Sequence, residues 1–306
     1  MDRGTLAEPS ASPGLRLERR EGGLHAACFA AMASPCEVLL GTDDAALAGR
    51  LGALAAGEAQ RIERKFSRYR GDSVVARLNA SGGRPVRLDE ETARLIDYAR
   101  HCHQLSDGLF DITSGVLRRL WKFDGHDRLP APEEVAALLP RVGFQRLAWQ
   151  APELTVPEGM EIDLGGIGKE YAVDRVYALL AAEFPGPLLV NFGGDLRASA
   201  APPTGPWRIG VERPGSDRDA RLLLELGAGA LATSGTTHRC FLVDGVRYGH
   251  ILDPRSGYPV KGAPLSVTVA AATCTEAGTF STLAMLQGAE AEAFLEGEGL
   301  KYWCLR

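Results

Sequence analysis

The stretch that most constrains this chain runs from Ile162 to Arg175 and reads Ile-Asp-Leu-Gly-Gly-Ile-Gly-Lys-Glu-Tyr-Ala-Val-Asp-Arg. Gly165, Gly166 and Gly168 precede apolar positions (Ala172, Val173, Val176, Leu179, Leu180) that recur at helical spacing. The pattern predicts a strand end, a glycine turn and a helix start. Glycine allows positive φ and a close approach of backbone to ligand. The free N–H groups and positive dipole end of a helix N-terminus suit phosphate. Asp163 stands just before the turn and Lys169 just after it. Neither common phosphate loop fits. A Walker A loop needs glycine at Asp163 and Ser or Thr at Glu170, and a dinucleotide fingerprint needs glycine at Tyr171. Taken alone, the glycines also read as a purely structural strand-to-helix turn.

With 306 residues, 45% of them hydrophobic, the chain can bury a substantial core. A net charge of -5 argues against a nucleic-acid footprint, which is usually basic. No apolar run is long enough for a membrane span. The first twenty residues lack the apolar core of a signal peptide, so a cytoplasmic location is expected. The six cysteines (Cys28, Cys36, Cys102, Cys240, Cys274, Cys304) form no Cys-x-x-Cys pair and read as reduced thiols.

Residues 1–24 read as a disordered leader rich in Pro, Ser, Gly and Arg, and 25–306 as a single domain. Cys28 to Gly41 reads as one strand interrupted at Met32–Pro35. Asp43 or Asp44 can cap a helix running to Phe66, and Asp89 a second one through Leu105. His101 and His103, two apart, do not share a helical face, which disfavours a metal pair. Leu117, Leu120, Trp121 and Phe123 read as core, and Tyr69 as a half-buried packing aromatic. Pro132 opens a short helix. Pro187 to Leu196 reads as a buried strand ending in a second glycine turn. A hairpin is expected at Asp244-Gly245. Leu265 to Ala271 is β-rich and Glu276 to Gln287 helical. Strands outnumber helices without regular alternation, which favours an α+β fold over a doubly wound sheet.

Several turns, in this order and spacing, resemble the ApbE family of FAD:protein FMN transferases. They are Phe66-Ser-Arg-Tyr-Arg, Asp107-Gly-Leu-Phe-Asp-Ile-Thr, the Ile162–Lys169 turn and Val190-Asn-Phe-Gly-Gly-Asp, then Thr233-Ser-Gly, His250-Ile-Leu-Asp-Pro-Arg-Ser-Gly and Ser266-Val-Thr-Val. The resemblance runs from about Cys28 to the C-terminus. It implies a T-fold-like α+β architecture with antiparallel-rich sheets and packed helices. It also implies a Mg²⁺-dependent enzyme that cleaves FAD, moves FMN onto a threonine hydroxyl of an acceptor protein and releases AMP. By position, Met32, Tyr69, Leu109, Phe110 and Asp111 would contact FAD, and so would Asp163 and Lys169. His250 and Asp253 would border the pyrophosphate, with His250 and Thr282 as catalytic residues. Gly166, through its carbonyl, and Thr282 would serve the metal.

The chain departs from the family pattern at three places. The late-helix carboxylate, in a pattern like Ala-Asp-x-x-x-Thr, is replaced by Gly278, while the terminal threonine persists as Thr282. Glu276 is the nearest acid on that helix, but it lies near the opposite face. Glu170 stands where glycine is usual, and Thr236-Thr-His-Arg-Cys where aromatic and acidic residues are usual. A missing carboxylate predicts weakened magnesium dependence, and that Gly278→Asp would raise transfer. Two alternatives to an active transferase follow. One is a catalytically weakened FAD-binding member acting as flavin carrier or regulatory partner. The other is a structural partner of a redox complex that keeps only the fold.

Overall fold

The computed structural model describes residues 14–123, 128–212, 220–236 and 240–306. Its centre is an eight-stranded sheet whose members follow one another in chain order. They are β1 (Arg16–Arg20), β2 (Leu24–Ala31), β3 (Ser34–Leu40), β4 (Leu188–Phe192), β5 (Asp195–Ala198), β6 (Gly229–Gly235), β7 (Ser266–Ala271) and β8 (Lys301–Leu305). Every neighbouring pair is antiparallel. In β3 the inward positions Cys36, Val38 and Leu40 are buried and alternate with more exposed ones, as the two-residue period of a strand requires.

Helices α1 (Ala45–Phe66), α2 (Glu90–Leu105), α3 (Gly168–Ala181) and α4 (Cys274–Leu286) supply the helical layer. One large apolar core joins α1, α3 and α4 to β2, β3 and β4. The buried face of α1 sets small residues, Ala48, Gly52, Ala55, Ala56 and Ala59, beside Leu51, Ile62 and Phe66. A Cβ at Gly52 would lie 2.6 Å from that of Ala27, so glycine sets how closely α1 lies on β2. The other sheet face is covered by the hairpin Trp207–Glu212/Ala220–Leu226, through Trp207, Val211 and Leu224 against Leu189, Leu196 and Leu231. This is the expected α+β class.

Most local expectations hold. Asp44 caps α1 by accepting from the N–H groups of Ala46 (2.9 Å) and Leu47 (3.0 Å), and Asp89 caps α2 through Thr92. The Asp244-Gly245 hairpin forms, as does the Pro132–Leu138 helix. Leu117 and Trp121 are buried, with Leu120 and Phe123 packed partly buried against them, and Cys28, Cys36, Cys102, Cys274 and Cys304 are free thiols. Two expectations are corrected. Residues 16–20, assigned to the leader, form β1 and pair with β2, while residues 1–13 lie outside the described residues. The interrupted strand is a hairpin, β2 and β3, joined by Met32 and Ala33 with φ of 52° and 55°. Both sit in the left-handed region that a tight hairpin requires, without the Asn or Gly that usually marks it. Among the described residues no helix is long and apolar enough to cross a membrane.

Candidate functional site

The Ile162–Lys169 segment is held from two sides. Asn79 pairs with Ile162 like a strand neighbour, donating from Nδ2 to its carbonyl (3.0 Å) and accepting its N–H (2.8 Å). The N–H of Asp163 donates to the Ile112 carbonyl (2.8 Å), and Asp163 Oδ1 accepts the N–H of Gly165 (2.9 Å). None of Gly165, Gly166 and Gly168 has positive φ, and Gly165 and Gly166 serve proximity instead. A Cβ on Gly166 would lie 3.2 Å from the Phe110 ring. Helix α3 then starts without a side-chain cap at Ile167.

Asp163 and Lys169 do not face one another as a pair. Asp163 is ion-paired to Arg68, whose Nη2 also donates to the Tyr69 hydroxyl (2.6 Å). Lys169 Nζ lies 2.7 Å from Asp195 Oδ2, at the start of β5 just past the glycine turn. Burial pulls the Lys169 ammonium down, but the charges of Asp195 and Glu170 outweigh it and its pKa is raised. Asp195 Oδ1 accepts the N–H of Thr233 in β6 (3.0 Å). The β2–β3 hairpin abuts the same turn, since Gly193 donates its N–H to the Pro35 carbonyl (2.9 Å).

Beside this pair lies the buried carboxyl of Glu170. Burial first, and the neighbouring Asp195 charge second, raise its pKa, against the lowering effect of Lys169. Its Oε2 has no hydrogen-bond partner. The Glu170 side chain passes over Gly278 of α4: a Cβ at 278 would sit 2.4 Å from Glu170 Cγ and 3.0 Å from Cδ. Glu170 fills the space that an aspartate side chain at 278 would need. The Glu276 carboxylate accepts from the Ala272 N–H at the start of α4 (3.3 Å). One turn on, Ser281 Oγ donates to the Gly278 carbonyl (3.0 Å), and Ser234 Oγ lies 2.8 Å from Ser281 Oγ and 3.0 Å from Thr282 Oγ1.

The remaining candidates spread around this cluster. Met32 is at the hairpin turn, partly buried. Tyr69 is 77% exposed, not half-buried, with the Arg68 guanidinium 4.8 Å over its ring. Leu109 and Phe110 are core side chains. Asp111 is buried, accepting from Thr113 N–H (2.8 Å), Thr113 Oγ1 (2.6 Å) and Phe144 N–H (2.8 Å). Asp253 accepts the Arg255 N–H (2.8 Å), and the half-buried His250 ring meets Phe123 edge-on at 6.2 Å. A cleft of ≈490 Å³ brings Asp111, His103 and Gly108 to Arg255; Lys169, Glu170 and Thr282 do not line it. The third departure, at 236–240, falls mostly outside the described residues.

Sequence reasoning missed Arg68, Asp174, Asp195 and Ser234. Asp195 closes the Val190–Asp195 motif and Arg68 lies inside Phe66–Arg70, so the motifs contained both. Asp174, on α3, accepts from Cys274 N–H (3.0 Å), Thr275 N–H (2.8 Å) and Thr275 Oγ1 (2.6 Å), and pairs with Arg197 of β5 (2.8 Å). It anchors the start of α4 to α3 and the sheet.

Fold and site together define an α+β protein with a lysine, a buried carboxyl and a row of hydroxyls gathered at a glycine-turn helix start. The chain belongs to the ApbE family, whose model matches residues 32–303. It is 34% identical over 266 residues to an FAD:protein FMN transferase of Klebsiella pneumoniae, covering 85% of this chain and 81% of that protein. It is 33% identical over 239 residues to one of Vibrio cholerae, covering 76% and 71%. The solved ApbE protein of Thermotoga maritima superposes with a TM-score of 0.82 at 33% identity, covering 92% of this chain and 94% of that one.

Proposed function

We propose that this chain is an FAD:protein FMN transferase, moving FMN from FAD to a threonine hydroxyl of an acceptor protein and releasing AMP. The observation that carries this reading is the convergence of distant family turns on one place: the Gly165–Lys169 turn, the Asp195 turn, Ser234 of β6 and Thr282 of α4. Phosphoryl transfer needs positioned groups and neutralised charge. The exposed ring of Tyr69 offers a flat face for the flavin or adenine. Lys169 supplies positive charge at the helix start. His250 is the candidate base for the acceptor hydroxyl.

Magnesium belongs to this reading. Among the described residues no group of three or more His, Cys, Asp or Glu side chains is arranged to hold a metal. Mg²⁺ in phosphoryl-transfer sites needs fewer, because substrate phosphates and water complete its octahedron. The oxygen donors available fit it: the Gly166 carbonyl, the Thr282 hydroxyl and a buried carboxyl with an orphaned oxygen. When bound, the ion would offset the charge of the transferring phosphate.

The test incubates the protein with FAD, Mg²⁺ and a peptide carrying the acceptor threonine, and reads covalent flavin fluorescence in a denaturing gel. A fluorescent band that disappears with chelator is expected. No band, with FAD binding intact, would favour a flavin carrier.

A further inference from the structure

Residues 170 and 278 fill one space between them. The ideal Cβ of residue 278 falls 2.4 Å from Glu170 Cγ, 3.0 Å from Cδ and 3.2 Å from Oε1. The two departures from the family pattern, glutamate at 170 and glycine at 278, therefore meet in one place. We propose that Glu170, reaching across from α3, is the carboxylate that holds the divalent cation in this chain, from the place a side chain at 278 would occupy. The proposal rests on the magnesium-using reading above.

Three observations carry it. Glu170 is only 9% exposed, and its Oε2 has no partner. A buried carboxyl oxygen left unpaired is costly, so such a group normally has a ligand or a proton to meet. The nearby ammonium does not satisfy it: Lys169 Nζ is held by Asp195 at 2.7 Å. The hydroxyls of Ser281, Ser234 and Thr282 continue from the Gly278 carbonyl in one hydrogen-bonded row, so hard oxygen donors run on from the residue that the Glu170 side chain covers. The competing role for Glu170 is that of a protonated acid donating to Asp195. Glutamine would fill that role as well as glutamic acid, and it cannot fill the role of an anionic ligand.

The test measures Mn²⁺ binding, as a probe for Mg²⁺, by electron paramagnetic resonance on the full chain, with and without FAD. Wild type should bind Mn²⁺. Glu170→Gln, which keeps shape and hydrogen bonding, should weaken it roughly tenfold or more through loss of a charged ligand. The double variant Glu170→Gly/Gly278→Asp should regain binding, because the carboxylate returns from the opposite helix. Unchanged Mn²⁺ affinity in Glu170→Gln overturns the proposal, as does a wild type that binds no Mn²⁺ or a folded double variant that regains none. FAD affinity measured in chelator reports on the flavin reading separately: a wild type that binds Mn²⁺ but not FAD sinks that reading and leaves the cation site standing.

Discussion

An aspartate at 278 would have to share its volume with the middle of a buried glutamate, not with a flexible side-chain end. Overpacking of this kind costs about 1–3 kcal/mol, and a third buried carboxylate beside Glu170 and Asp195 adds to it. Gly278→Asp alone should therefore lower the thermal midpoint, and adding Glu170→Gly should restore it; calorimetry of the four variants of the cycle checks this. Tyr69 makes the opposite case. With 77% of it exposed, Tyr69→Ala should leave stability within about 0.5 kcal/mol. FAD affinity should fall roughly tenfold, about what one lost aromatic stack is worth, as flavin-fluorescence titration would read. Both departures, Glu170 and Gly278, were visible in the sequence. Their meeting was not, because no periodicity links positions on two helices separated by several strands. Tyr69 was misread as half-buried because an aromatic after a helix end carries no sign of which way it turns.

Helices α1, α2 and α3 are clamped together by one carboxylate. Glu91 of α2 receives Arg61 (2.7 and 2.9 Å) and Lys65 (2.6 Å) from α1, and the Tyr171 hydroxyl (2.7 Å) from α3. The bond from Arg61, and after it those from Lys65 and Tyr171, lower its pKa to about 2 against the effect of burial. A carboxylate whose folded pKa is depressed contributes stability above its unfolded value, near 4.5, and loses it as pH falls through the folded value. Denaturant midpoints should therefore drop between about pH 4.5 and 2, and less steeply in Glu91→Gln. Asp174 plays a comparable part at the start of α4. Asp174→Asn should cost about 1.5–3 kcal/mol through its charged hydrogen bonds, and should speed amide exchange at Cys274 and Thr275. Helix starts were readable because caps are local, an acid followed by its own helix. The β2–β3 turn was not, because Met32 and Ala33 are residues that rarely accept positive φ. Asp174 was hidden because it caps a helix that begins a hundred residues later.

For the molecule as a whole, a ligand bound only by the folded state raises stability by mass action. FAD at a hundredfold excess over its dissociation constant should add about 2.7 kcal/mol. A thermal midpoint that does not move with FAD would contradict the proposed site. The class of the fold was legible from the count and irregular order of strands. The order of the sheet was not, since hydrophobic pattern says which residues face inward but not which strand lies beside which. That order has a consequence for synthesis. β3 ends at Leu40 and its partner β4 begins at Leu188, with residues 41–187 made between them. While the ribosome completes that stretch, on the order of ten seconds, the growing chain carries a finished hairpin with one bare edge. The charged residues of β1 guard the far side of that hairpin, at Arg16, Glu18, Arg19 and Arg20. The β3 edge, Ser34-Pro-Cys-Glu-Val-Leu-Leu, has a single acid and no base to discourage a stray strand. Nascent chains halted before Leu188 should therefore be the ones that trigger factors and other holdases grip.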